Sequence, residues 1–254
     1  MAGLRIERDG ALARLRLDKA RGNAIDEALA RELLGAVREL EADIGVAGVL
    51  LCSAHPKLFC PGLDLVSLIE YDRPGMERFL DVFGELLPAL YGFSRPLVAA
   101  LSGHAVAGGC VLALTADLRV LRRGAQIGLA EVRVGVPLPW SVAVLLRASV
   151  PPASLTRVAL LGENFSDDAA VAAGLVHELA EAEGFEETCL ARLQELVERD
   201  AYSLAITKRY LREPVLEAMR ARERERAAEF LDGWFSDTTR ERVRGVVDSL
   251  ASKG

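Results

Sequence analysis

The chain has 254 residues, 51% of them hydrophobic, and a formal net charge of −6. That is apolar material for one large core, or for a core with a small appended domain. The acidic balance carries no footprint for DNA or RNA, no apolar run reaches the length of a membrane span, and Met1-Ala2-Gly3-Leu4-Arg5 lacks the apolar stretch of a secretory signal.

Taken in chain order, Leu4 to Arg8 and Ala11 to Leu17 alternate apolar with polar residues around Asp9-Gly10, which predicts a β-hairpin. Asp26 is placed to cap a helix running to about Glu41, with Leu29, Leu33, Val37 and Leu40 on one face. Val46 to Cys52 and Pro96 to Leu101 read as buried strands. Between them Tyr71 to Gly75 reads as a loop, and Met76 to Tyr91 has helical spacing at Phe79, Val82, Phe83, Leu86, Leu87 and Leu90. Leu118 to Leu121 is a further short strand. Strands alternating with helices in this way imply parallel pairing through helical crossovers. From Pro151 the pattern turns helical: Ser154 to Leu161, Asp167 to Ala173, Phe185 to Arg199, Leu204 to Arg212, Val215 to Asp232 and Asp237 to Leu250. Only Leu175 to Leu179 interrupts it as a strand, and a change of layer rather than a flexible hinge is expected near residue 200.

Two segments carry the chemistry. Phe59-Cys60-Pro61-Gly62-Leu63-Asp64-Leu65 and Gly103-His104-Ala105-Val106-Ala107-Gly108-Gly109-Cys110-Val111 each end a strand-like run in a glycine turn and open an apolar helix. Each can therefore aim unpaired N-terminal N–H groups into one cleft. Two such donors meeting at one point form an oxyanion hole able to hold the enolate of a thioester, each contributing about 2.7 to 4 kcal/mol. The cysteines, Cys52, Cys60, Cys110 and Cys189, have no metal-ligand or redox spacing. They read as reduced thiols in a cytoplasmic protein, and the ending Ala251-Ser252-Lys253-Gly254 is not the Ser-Lys-Leu peroxisomal address.

Gly62-Leu63-Asp64-Leu65 and Ala107-Gly108-Gly109-Cys110 resemble the two oxyanion-hole signatures of the crotonase superfamily, the enoyl-CoA hydratase/isomerase family. The likeness continues through Asp117-Leu118-Arg119-Val120, Ile127-Gly128-Leu129-Ala130-Glu131, Phe165-Ser166-Asp167-Asp168-Ala169 and Gly174-Leu175-Val176, with Arg21-Gly22-Asn23-Ala24 as an early CoA-side segment. The resemblance implies an α/β crotonase fold, a spiral of strand-strand-helix turns followed by a helical C-terminal region. On that reading residues 1–200 form the core with the CoA-binding and catalytic cleft, residues 201–254 form a helical trimerisation region, and the assembly is a homotrimer or a dimer of trimers. It also implies an acyl-CoA substrate, oxyanion donors at Leu63 and Gly108, and CoA lying near Asn23, Ala24, Ile25 and Leu65. The acyl pocket would draw on Leu68, Phe83, Leu86 and Trp140, with Lys57 or Lys208 as phosphate contacts. No metal, redox cofactor, nucleic acid or membrane is implied, since coenzyme A is part of the substrate.

One departure points to the reaction. Hydratases of this family typically carry two cleft glutamates, whereas this chain has Val111 at the first position and Glu131 at the second. Valine can neither position nor deprotonate water, so addition of water loses a participant. A single carboxylate beside an oxyanion hole can still move a proton along an allylic thioester, the chemistry of a Δ3,Δ2-enoyl-CoA isomerase. Gly-Leu-Asp-Leu at 62–65 and Ile-Gly-Leu before Ala130-Glu131 resemble the isomerase branch, and Pro139 with Trp140 is expected to wall the cleft with apolar bulk. Thioester hydrolysis, decarboxylation or acyl-CoA binding without catalysis remain alternatives. Asp64 reads as a helix N-terminal anchor, Cys110 as packing, and His55, His104 and His177 as structural.

Overall fold

The computed structural model describes residues 3–20 and 22–252, so Arg21 of the early segment lies outside the described residues. Leu4–Asp9 (β1) and Leu12–Leu17 (β2) pair antiparallel as the expected hairpin, turning at Gly10 with φ 59°. Beyond them the chain repeats one move. It runs from β3 (Gly48–Ser53) to β4 (Leu58–Cys60), from β5 (Leu97–Leu101) to β6 (His104–Val106), and from β7 (Leu118–Arg122) to β8 (Gln126–Gly128), followed by β9 (Asn164–Ser166) and β10 (Glu178–Ala180). The first strand of each pair joins a six-stranded sheet, β1-β2-β3-β5-β7-β10, and the second joins a four-stranded sheet, β4-β6-β8-β9. Apart from the β1–β2 and β8–β9 pairings the strands are parallel. The spiral of strand-strand-helix turns is thus present.

Within the larger sheet the inner strands β3 and β5 are buried at every residue, as parallel strands between helical layers must be, whereas β2 is buried at alternate residues and β1 at none. Along β3, Val49 and Leu51 face the main core with α1 (Glu27–Ala42), while Leu50 and Cys52 face the other way, toward Cys189 and Leu193. Asp26 caps α1 as expected, its carboxylate accepting from the Leu29 N–H at 2.9 Å. After the single turn α2 (Leu65–Leu68), helix α3 (Arg73–Tyr91) starts earlier than expected. Asp72 caps the Gly75 N–H at 2.8 Å, and Pro74 sits in the first turn, where its missing N–H costs nothing. The Arg73 to Gly75 part of the expected loop is therefore helix.

Four further differences come from the later chain. Helix α4 (Gly108–Leu114) is followed by an unforeseen α5 (Trp140–Ser149), and Ser154 to Leu161 is a 3₁₀ turn, Pro152–Ser154, with a π-helical turn, Thr156–Leu160. Past α6 (Asp167–Ala172), the expected strand from Leu175 shortens to β10, because the Leu175 and Val176 N–H groups turn back to the Ala170 carbonyl. After α7 (Phe185–Val197), the two helices expected at 204–212 and 215–232 are one, α8 (Ala201–Trp234), which runs through Pro214. Tertiary anchors outweigh the roughly 3 kcal/mol cost of an internal proline. Lys208 and Arg212 bind Asp117 at 2.6 and 2.7 Å, and Met219, Phe230, Leu231 and Trp234 enter the main core. The last helix, α9 (Asp237–Ala251), buries Thr239 and Val243. No helix of the described chain is long and apolar enough to cross a membrane.

Candidate active site

Three residues singled out in the sequence follow the C-terminal ends of three adjacent parallel strands, the edge at which α/β proteins place their ligands. Leu63 follows β4, Gly108 follows β6 and Glu131 follows β8, and these strands are neighbours in that order. Leu63 forms an isolated parallel bridge with Ile25: the Ile25 N–H donates to the Gly62 carbonyl and the Asp64 N–H to the Ile25 carbonyl, both at 2.8 Å. In a parallel pair the N–H between two such bonds points the other way, so that of Leu63 turns away from Ile25. Gly108 is the first residue of α4 and has no intrahelical acceptor for its own N–H. The two loops touch. A Cβ on Gly62, which has φ 107°, would lie 2.7 Å from Ala107 Cβ and 3.1 Å from the Gly108 nitrogen. Ala107 holds φ 50° and ψ −124° just before the donor, a strained conformation fixed by its own N–H, which donates to the Gly128 carbonyl at 2.8 Å.

That last bond ties the Gly108 turn to the strand that precedes Glu131. Glu131 opens a 3₁₀ turn, Glu131–Val134, closed by Gly135 in the left-handed region, and the Val136 N–H donates back to the Glu131 carbonyl at 3.0 Å. The residue is half-buried, but Oε2 is buried and has no hydrogen-bond partner among the described residues. Burial strips its water and pushes the carboxyl from 4.5 up to about 7. Burial also raises the Cys110 thiol, and the Glu131 charge adds to that rise, placing the acid within electrostatic reach of α4.

The other expected residues divide sharply. Leu65 is half-buried at the start of α2, as a ligand-facing residue should be. Asn23, Ile25 and Leu68 have no exposed surface and Ala24 keeps 7%, so a ligand lying along Asn23 to Ile25 would meet backbone rather than side chains. Asn23, at φ 70°, accepts from the Lys19 N–H at 2.8 Å and donates to Ser53 Oγ and the Phe59 carbonyl, both at 2.9 Å. It is a strut beneath β4. Asn23→Ala should therefore cost about 3 kcal/mol in urea unfolding, because partners buried with it lose their bonds. Ile25 packs against the Gly108 turn, its Cδ1 3.2 Å from where a Gly108 Cβ would stand. The Trp140 indole N–H donates to the Ala218 carbonyl at 2.8 Å and its ring lies under Arg222 and Arg226, which ties it to α8. Phe83 and Leu86 are core residues.

Lys57 is exposed, whereas Lys208 is buried between Asp117 and the Arg95 carbonyl and is unsuited to a phosphate. Burial lowers its ammonium to about 8 even against the pull of Asp117. Asp64 caps α2, accepting from the Ser67 N–H at 3.2 Å, and also meets Lys19 at 3.3 Å. The Nδ1 atoms of His104 and His177 accept backbone N–H groups of Gln126 and Arg119, and His55 lies against the Lys19 carbonyl. All three histidines are therefore engaged structurally. The close packing of the hole loops and the bond from Ala107 to Gly128 had no signal in the sequence beyond the glycines themselves.

Residues 7–247 match the enoyl-CoA hydratase/isomerase family. The chain belongs to that family. Relatives of this enoyl-CoA hydratase/isomerase family member include the 2,3-dehydroadipyl-CoA hydratase of Escherichia coli, 30% identical over 232 residues, covering 89% of each chain. The human mitochondrial enoyl-CoA delta isomerase 1 is 28% identical over 192 residues, 75% of this chain and 64% of the human one. Among solved structures, human mitochondrial Δ3-Δ2-enoyl-CoA isomerase superposes with a TM-score of 0.95 at 24% identity, covering 99% of both chains, which establishes the crotonase fold. An enoyl-CoA hydratase from Mycobacterium ulcerans superposes at 0.84 with 25% identity, over 90% of this chain and 99% of the other.

Proposed function

We propose that this family member moves the double bond of a 3-enoyl-CoA to the 2 position. The reading rests on one observation: Glu131 presents a single buried, unpartnered carboxylate oxygen at the edge that carries the Leu63 and Gly108 N–H groups, while the other hydratase position is Val111, packed in the apolar core. The thioester oxygen sits at the two N–H groups. Glu131 removes a proton from C2, the electron pair spreads over a dienolate whose oxygen the donors hold, and the protonated Glu131 returns the proton at C4. Proton and charge balance within the site, and no metal or redox group takes part. A carboxyl near 7 suits both halves of the shuttle, since base and conjugate acid are each accessible at neutral pH.

The test offers the protein 3-enoyl-CoA and 2-enoyl-CoA and follows conjugation, hydration and free thiol together. Rapid conjugation of the 3-enoyl ester with slow hydration of the 2-enoyl ester is expected. Fast hydration by the wild type would overturn the reading, and thiol release would indicate hydrolysis. Val111→Glu should add only weak hydration and destabilise by about 3 kcal/mol, because its charge lands in apolar surroundings without a partner.

A further inference from the structure

A cleft of about 390 Å³ lies between the 3₁₀ turn that carries Glu131 and helix α9. Arg133 and Val134 form one side, and Arg242, Val246, Ser249 and Leu250 form the other. Its position is fixed from both directions. Thr239 Oγ1 donates to the Gly135 carbonyl at 2.9 Å, Val243 is buried, and the stem of Arg242 lies over Gly135, its Cδ 3.1 Å from where a Cβ would be. The walls are apolar at Val134, Val246 and Leu250, and Leu250 is 54% exposed. Arg133 and Arg242 are both exposed, and neither has a carboxylate partner among the described residues. On α8, by contrast, Arg222 and Arg226 are paired with Glu225 and Glu229. Two unpaired guanidiniums over an apolar floor fit one ligand chemistry, an anionic group at the end of an aliphatic chain.

The strand order says which end of the substrate reaches it. Leu63 and Gly108 follow β4 and β6 and Glu131 follows the next strand, β8, so on the isomerase reading an acyl chain running on in the same direction passes that turn. In a 3₁₀ turn residues i and i+3 eclipse, so Val134 shares the face of Glu131, about 6 Å further along the axis. We propose that Arg133 and Arg242 receive a carboxylate at the far end of the acyl group, so that CoA thioesters of unsaturated dicarboxylic acids are the preferred substrates. The proposal rests on the isomerase reading of Glu131 and the oxyanion hole.

The experiment titrates three unreactive ligands into the wild type and into the Arg133→Ala/Arg242→Ala double variant: a saturated methyl-ended acyl-CoA, the ω-carboxyacyl-CoA of equal length, and free CoA. The wild type should bind the ω-carboxy ligand at least tenfold more tightly than the methyl-ended one. The double variant should lose that ratio, and Arg242→Lys should keep part of it. Absence of the preference in the wild type, or its survival in a folded double variant, would overturn the proposal. Equal weakening of all three ligands would assign the arginines to the CoA phosphates and overturn it as well. Thermal melting without ligand checks folding, and the single Arg133→Gln variant, which should lower the ratio severalfold, serves if the double variant does not fold. Preference for the ω-carboxy ligand in a protein that isomerises no 3-enoyl-CoA would keep the cleft and remove the isomerase reading, so the two fail separately.

Discussion

Glu131→Gln is expected to lower the isomerisation rate by about 10²- to 10⁴-fold, the range that a positioned acid–base group supplies. The same substitution should stabilise the fold, and the two effects have one cause. Burial raises the carboxyl from 4.5 to about 7 in the folded protein. Below pH 4.5 the group is protonated in both folded and unfolded chains and costs nothing. Between pH 4.5 and 7 the unfolded chain ionises while the folded one does not, so stability falls as pH rises, and above pH 7 the full deficit of about 3 kcal/mol is present. Glutamine carries no such deficit. Urea unfolding should therefore find the variant more stable by up to about 3 kcal/mol at pH 8 and no different at pH 4. In the wild type kcat/KM should fall tenfold per unit below about pH 7, as the base becomes protonated. A variant that keeps most of its turnover would show that Glu131 is not the base, and a stability difference independent of pH would show that it is not a desolvated acid.

Gly109→Ala should be among the most damaging single methyl groups in the chain. The new Cβ would stand 2.1 Å from the Cys60 carbonyl oxygen and 2.9 Å from both the Cys60 carbonyl carbon and Cβ. Backbone cannot yield as a flexible side chain does, so α4 must move away from β4. The stability cost should reach about 3 kcal/mol, the upper end for overpacking. The movement also carries the adjacent Gly108 N–H out of register with Leu63, and losing one donor should cost a further 10²- to 10³-fold in kcat. Gly35→Ala in α1 is the control: its Cβ meets nothing within 4 Å, and helix propensity predicts a gain of about 0.5 to 1 kcal/mol. Comparable losses in the two variants would remove the argument from close approach.

Long amphipathic or capped elements were legible without the structure. Asp26 with its helical stripe, the alternation around Asp9-Gly10, and the apolar runs from Val46 to Cys52 and from Pro96 to Leu101 each announce themselves within a few neighbouring residues. The four-stranded sheet did not. Each of its strands spans three residues, Leu58–Cys60, His104–Val106, Gln126–Gly128 and Asn164–Ser166, too few for alternation to register. Pro214 misled in the opposite direction, because the bonds from Lys208 and Arg212 to Asp117 that hold α8 together come from residues about a hundred positions away.

The candidate site divides along the same line. The sequence by itself determined the family resemblance, the acid at Glu131, the valine at 111 and the two glycine turns, because residue identity and local spacing suffice for these. Only the tertiary structure decided what these groups become. It buries Asn23 as a strut, ties Trp140 to α8, brings Gly62 against Ala107 and Gly108, and leaves Glu131 Oε2 without a partner among the described residues. Burial, desolvation and the direction of an N–H depend on segments distant in the chain meeting at one sheet edge, and no window of sequence contains that meeting.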